Sequence, residues 1–115
     1  MIQTHDNTDP LLRRPFSLCG AEKDVVEILF QVRGKGTEAM SKWKSGQVIN
    51  IMGPLGNGFC IPGKAEEACL VGGGVGIAPL VFLAQHIKNE HVHMAIKVFL
   101  GGKTENDVSL LAGFN

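Results

Sequence analysis

Between residues 70 and 80 the chain reads Leu70-Val71-Gly72-Gly73-Gly74-Val75-Gly76-Ile77-Ala78-Pro79-Leu80, so a set of bare glycine amides follows an apolar run without a gap. Glycine has no Cβ, which lets the main chain turn tightly and lets its N–H groups approach a bulky anion such as a phosphate. Proline near the first helical position gives up an N–H that would be orphaned there, and leaves the remaining amides and the positive end of the helix dipole facing the same anion. Such a glycine fingerprint is a weak signal alone. Here a strand-like run, Ala68-Cys69-Leu70-Val71, precedes it, and Leu80, Leu83, Ala84 and Ile87 follow at helical spacing. Together they predict a turn that seats the pyrophosphate of a dinucleotide on the amides of Gly73, Gly74, Val75, Gly76 and Ile77. The plainer alternative is a glycine-rich turn that only packs a strand on a helix.

A second stretch has similar chemistry. Arg33-Gly34-Lys35-Gly36-Thr37 leads into Glu38-Ala39-Met40-Ser41-Lys42-Trp43-Lys44, a run of helix formers that stops at Ser45-Gly46. Thr37 is the expected N-cap, and Gly36-Thr37 would present free amides at a helix N-terminus. An ordinary capped surface helix fits the same residues. Earlier, Leu11-Leu12-Arg13-Arg14-Pro15-Phe16-Ser17-Leu18-Cys19 reads as a strand broken by an edge or bulge, because Pro15 cannot donate to a ladder and holds Arg14 extended. Arg14 and Phe16 would then face one way and Ser17 the other. An arginine fork and a hydroxyl within a few residues suit an extended phosphate-bearing ligand lying along the strand.

Other elements must position these groups. Gly20 to Asp24 reads as a hairpin turn, and residues 25–32 as the returning strand, with Val26, Ile28, Phe30 and Val32 on one face. A further strand is expected over 48–52. It is followed by Gly53-Pro54-Leu55-Gly56-Asn57-Gly58-Phe59, whose glycines and proline fix a loop of unusual backbone angles. Antiparallel β thus gives way near residues 63 and 64 to a β-α-β pattern, so the expected division is 1–63 and 64–115. Within the second part a helix is expected over 79–88 and a parallel strand over 95–100. Gly101-Gly102-Lys103-Thr104 then stands where a nucleotide's ribose would lie, with Lys103 for a phosphate and either Glu105 or Asp107 for a ribose hydroxyl. Another helix is expected to begin at Val108-Ser109-Leu110-Leu111, and Asp9-Pro10 to make a turn.

Composition excludes several classes. Eleven basic and eleven acidic residues in 115 cancel, so no net field recruits nucleic acid or an anionic membrane. The apolar runs are too short to span a bilayer, and Met1-Ile2-Gln3-Thr4-His5-Asp6 lacks the features of a signal peptide, which makes the cytoplasm the expected compartment. Cys19, Cys60 and Cys69 are scattered among apolar neighbours without a metal spacing, and are expected to be buried, reduced thiols. His86, His91 and His93 have no acidic or thiol partner close in sequence, so they are read as a helix end and its following loop, and no metal site is expected.

Taken in order, Arg14-Pro15-Phe16-Ser17, Gly34-Lys35-Gly36-Thr37, the 53–59 loop and Gly72-Gly73-Gly74-Val75-Gly76-Ile77-Ala78-Pro79 resemble the ferredoxin-NADP reductase superfamily. Within it they are most similar to the electron-transfer subunits of dihydroorotate dehydrogenase B, and the 53–59 loop is the most subfamily-specific part. The resemblance implies β followed by α/β: part of an antiparallel FAD-binding β-barrel, then the start of a Rossmann-like parallel NAD domain.

Carried over by motif, Arg14 would hold the FAD pyrophosphate. Pro15, Phe16 and Ser17 would line the flavin, Leu29, Phe30 and Gln31 would flank the cofactor, and Gly36 and Thr37 would cradle phosphate. The family often carries a basic residue where Gln31 stands. NAD(P) would sit on residues 73–77. Hydride transfer needs no acid or base, so no catalytic residue is expected. The implied function is to pass reducing equivalents between NAD(H) and FAD and onward, through a two-iron two-sulfur centre, to a catalytic dehydrogenase subunit that oxidises dihydroorotate in pyrimidine biosynthesis. Family members carry further barrel strands before the arginine motif and a cysteine cluster near the C-terminus for that centre. Three scattered cysteines cannot supply four thiolates, so the chain reads as the middle of a subunit, its iron-sulfur ligands absent. The alternatives are a reductase with a different partner and a nucleotide-binding fragment that transfers no electrons.

Overall fold

The computed structural model describes residues 1–4 and 12–104. The expectations at Asp9-Pro10, Leu11, Glu105, Asp107 and Val108-Ser109-Leu110-Leu111 therefore lie outside the described residues. The chain divides into two compact units, Met1–Phe16 with Phe30–Asn57, and Ser17–Leu29 with Gly58–Asn115.

In the first unit a short strand, β1 (Ile2–Gln3), holds the centre of a small antiparallel arrangement. It pairs with β4 (Asn50–Ile51), Ile2 opposite Ile51 and Gln3 opposite Asn50. Ile2 also bridges to Arg14: its N–H donates to the Arg14 carbonyl at 2.8 Å and its carbonyl accepts from the Arg14 N–H at 2.9 Å. Ile2 is buried beneath these contacts. The strand expected over 11–19 contracts to that one bridge. Pro15 has no N–H with which to extend the ladder, so pairing stops where the proline begins. The strand expected over 48–52 likewise contracts to Asn50–Ile51.

The helix of this unit, α1, spans Lys35–Ser41 with Gly34 at the cap position. Thr37 is thus the third helical residue and not the N-cap, and the helix starts three residues earlier than its side-chain pattern suggested. Met40 is buried on the inner face, and Lys42 pairs with Glu38 at 3.0 Å on the outer one.

The second unit holds a hairpin, β2 (Gly20–Glu22) and β3 (Val25–Glu27), joined through Lys23 and Asp24, with Lys23 at φ 52°. The returning strand ends at Glu27 and does not run on to residue 32. All three β3 residues are exposed, so its alternating apolar face has no opposing layer that would prolong the pairing.

The same unit contains β5 (Glu67–Gly73), a 3₁₀ turn (Gly74–Ile77), α2 (Ala78–Glu90) and β6 (Ala95–Gly101). β5 and β6 pair in parallel from Glu67 opposite Ala95 to Gly73 opposite Gly101, with α2 as the connection. Leu70 from β5, Ile77 from the turn, and Ala78, Val81, Ala84 and Ile87 from α2 are all buried and form its core. Successive strand residues face opposite ways, so Leu70 turns inward while Cys69 and Val71 turn outward.

That alternation corrects the expected burial of Cys69, which is exposed; outside the strands Cys60 is exposed as well, and Cys19 is half-buried. Apolar neighbours in sequence do not decide which face of a strand is covered. Cys19 differs in its electrostatics as well, since burial first and the Glu27 carboxylate second push its thiol above the ordinary range. Less thiolate at a given pH means a slower nucleophile. In a mildly alkaline iodoacetamide time course read by mass spectrometry, Cys19 should be alkylated several-fold more slowly than Cys60; equal rates would contradict this placement.

Among the described residues, mixed short strands and helices are present and no closed barrel is formed. No helix among them is long and apolar enough to cross a membrane.

Candidate functional site

In the first unit the bridge to Ile2 fixes the backbone of Arg14, and its side chain lies against α1. A Cβ placed on Gly36 would stand 2.6 Å from Arg14 Nε, 2.8 Å from Cδ and 2.9 Å from Cζ, so the guanidinium occupies the space that a side chain at 36 would fill. Arg14 Nη1 also donates to the Leu12 carbonyl at 2.8 Å, which turns the fork back over its own segment. Gly36 and Thr37 are the second and third residues of α1, positions whose N–H groups have no intrahelical acceptor. A cationic fork and helix-terminal amides therefore converge on one small patch. This donor set fits a phosphate or diphosphate.

Thr37 contributes differently from expectation. Its Oγ1 accepts from the Arg33 N–H at 2.8 Å and the Gly34 N–H at 3.3 Å, and donates to the Gly34 carbonyl at 3.1 Å. The hydroxyl thus closes the loop before the helix and occupies two of the amides that a glycine-rich loop would otherwise offer. What remains for an anion is the helical N–H pair at Gly36 and Thr37 together with Arg14.

Phe16 and Phe30 meet edge to face, with ring centroids 6.3 Å apart and planes at 71°. The structure thereby brings two of the residues expected to line the flavin into contact, in a geometry aromatic pairs favour. Gln31 Oε1 accepts from Arg33 Nε at 3.0 Å, and Pro15 is exposed. In the second unit Ser17 is exposed and Leu29 half-buried, at the two ends of the segment that carries the hairpin.

The 73–77 turn stands at the C-terminal end of β5, the end of a parallel strand where α/β folds take their ligands. Two glycines there have separate causes. Gly74 sits at φ 53°, and a Cβ on Gly73 would come within 2.8 Å of the Gly101 carbonyl oxygen, so the close β5–β6 pairing at this end requires the bare residue. Val75 and Gly76 are exposed, and a Cβ on Gly76 would meet nothing within 4 Å. The open room over these amides fits a dinucleotide pyrophosphate.

The helix does not start directly at Pro79. A 3₁₀ turn comes first, closed by the Ala78 N–H donating to the Val75 carbonyl, and Pro79 falls in the first turn of α2. Ile77 is 1% exposed and pegs the turn into the core, so the expected set 73–77 contains one residue, Ile77, whose side chain is wholly structural. Lys103 and Thr104 follow the end of β6, beyond the Gly73–Gly101 pairing.

Sequence reasoning passed over Arg13. Its Nη2 donates to Gln3 Oε1 at 3.2 Å and its Nη1 to the Asn50 carbonyl at 3.4 Å, so it spans β1 and β4. The signal was there: adjacent residues of an extended segment face opposite ways, and two successive arginines before a proline must serve two different neighbours.

His86, His91 and His93 lie in series, with ring centroids 6.0 Å and 6.3 Å apart. Among the described residues no three His, Cys, Asp or Glu side chains are placed to hold a metal ion. The chain's described residues therefore do not fit an iron-sulfur cluster.

In Gly36→Ala the new methyl group must push the Arg14 side chain aside, while the gain in helix propensity, about 0.5–1 kcal/mol at an interior position, is smaller in this first turn. Urea unfolding should show stability unchanged or slightly raised, while binding of an adenine dinucleotide at this patch weakens several-fold; unchanged binding would place the ligand elsewhere.

No protein-family model matches the chain. Comparison with curated proteins finds several close relatives. The chain is 40% identical over 109 residues to a protein of Desulforamulus reducens named dihydroorotate dehydrogenase B (NAD(+)), electron transfer subunit, covering 93% of this chain and 41% of that protein. It is 46% identical over 84 residues to the protein of the same name from Clostridium acetobutylicum, covering 73% of this chain and 34% of the relative. A third, from Bacillus pumilus, is 36% identical over 111 residues, covering 93% and 42%. The chain thus spans between 34% and 42% of the length of these relatives.

Proposed function

Because the chain belongs, over the stretch it spans, to the family of dihydroorotate dehydrogenase B electron-transfer subunits, we propose that it binds two redox dinucleotides, FAD through residues 14–16, 30–31 and 36–37 of the first unit and NAD through residues 73–77 of the second. Residues 1–63 are then part of an antiparallel FAD-binding barrel and 64–115 the start of a Rossmann-like domain. The observation that carries the FAD assignment is the Arg14 fork lying in the space left by the missing side chain of Gly36, beside two helix-terminal amides.

When bound, the flavin and nicotinamide supply the hydride and electron chemistry themselves. The protein's residues bind and orient. Arg14 and the N–H groups of Gly36 and Thr37 neutralise and fix the FAD diphosphate. The edge-on Phe16–Phe30 pair offers an apolar wall for the ring system. Gly74, Val75 and Gly76 present bare amides to the NAD diphosphate, with Ile77 locking the turn they sit on. In this role the chain passes reducing equivalents between NAD(H) and FAD and onward to a catalytic dehydrogenase subunit that oxidises dihydroorotate.

Flavin absorbance tests the reading. The purified chain, as isolated or after incubation with FAD and removal of excess, should carry the yellow absorbance of bound flavin. A colourless protein that does not take up FAD would leave a nucleotide-binding fragment without electron transfer.

A further inference from the structure

We propose that Arg13 is a positioning residue that holds Arg14 in place for its diphosphate contact, an inference that rests on the reading of Arg14 as an FAD ligand. The segment around Arg14 has little else to anchor it. Among the described residues its main chain is tied to β1 by the bridge to Ile2, and Pro15 has no N–H to add to the ladder. A strand tied at one residue pair is free to pivot about it.

Arg13 supplies the second point of attachment. Its guanidinium donates through Nη2 to Gln3 Oε1 at 3.2 Å and through Nη1 to the Asn50 carbonyl at 3.4 Å. Gln3 and Asn50 are directly opposite each other across β1 and β4, so one planar fork staples the Arg14 segment to both strands at a single rung. With the bridge at Arg14 and the staple at Arg13, the extended backbone has two fixed consecutive residues, and the Arg14 side chain is sent toward α1, where it lies against Gly36. Arg13 itself does not touch the patch. Its effect passes through Arg14.

A double-mutant cycle on FAD affinity in the purified chain, read by quenching of flavin fluorescence, tests this. Arg13→Ala should weaken FAD binding by about tenfold, on the scale of one hydrogen bond lost from a charged group. In the background of Arg14→Ala the same change should have no further effect, because nothing remains to be positioned. Arg13→Lys, whose ammonium cannot span both acceptors, should fall between wild type and Arg13→Ala. If Arg13→Ala does not fold, Gln3→Leu removes one of the two attachments and should weaken FAD binding only while Arg14 is present.

Equal losses in both backgrounds would overturn the inference, since a general structural role adds to the loss of Arg14. So would an Arg13→Ala protein with wild-type affinity. An Arg14→Ala protein with wild-type affinity would instead refute the underlying assignment of Arg14 to the FAD site.

Discussion

Arg14→Ala is expected to weaken FAD binding by about 1.5 to 3 kcal/mol, the range for hydrogen bonds to a charged group, which is a loss of roughly 12- to 160-fold in affinity. The guanidinium lies against Gly36, and its Nε and Cζ occupy the volume that a Cβ there would take. Truncation removes the fork and leaves the two helix-terminal amides to hold a doubly charged diphosphate without the Arg14 charge. The fold should hardly notice. Arg14 pairs with Ile2 through main-chain atoms, which alanine keeps, so urea unfolding of the variant should overlay wild type. Arg14→Lys should recover part of the affinity through charge alone, without the planar two-pronged geometry. Unchanged FAD affinity in Arg14→Ala would remove this residue from the site.

Ile77→Ala should be the more damaging change to the second unit, with an expected loss of about 2 to 5 kcal/mol of unfolding free energy. Ile77 is 1% exposed and ends the 3₁₀ turn that carries the proposed NAD amides, immediately before the first residue of α2. Removing its side chain opens a cavity in the core of this unit and also unpins the turn. Stability and NAD affinity should fall together. Val75 lies two residues earlier in the same turn and is 45% exposed, so Val75→Ala should cost no more than about 0.5 kcal/mol. Urea midpoints of the two variants check this; similar midpoints would contradict the burial pattern on which the turn's rigidity depends.

The β-α-β half was legible because its signals are local. The apolar run at 68–71 and the one at 95–100 sit inside the observed Glu67–Gly73 and Ala95–Gly101, and the expected helix 79–88 inside Ala78–Glu90. Continuous apolar runs mark the two paired strands, and glycines mark where they end. The 3₁₀ turn before α2 was not legible, since Gly74 can adopt its positive φ without any neighbour announcing it.

The first half depends on non-local pairing, and there the reading was coarser. Residues 11–19 have strand-like composition, but Pro15 limits them to one bridge, and nothing in the sequence says that Ile2 is the partner. Thr37 looked like a cap because threonine favours caps; its hydroxyl instead closes the 33–34 loop from one turn inside the helix. The choice depends on where Gly34 sits, which the side-chain pattern does not encode. Cys69 was read from its apolar neighbours, and only the placement of α2 over the Leu70 face decides that the thiol points away.

Two separate diphosphate seats in one chain are tested most directly by calorimetric titration of the purified chain with FAD, and then of the FAD-saturated chain with NADH. Two independent single-site isotherms are expected, with Arg14→Ala weakening only the first. A chain that takes neither dinucleotide, or in which saturating FAD abolishes NADH binding because both compete for one seat, would contradict it.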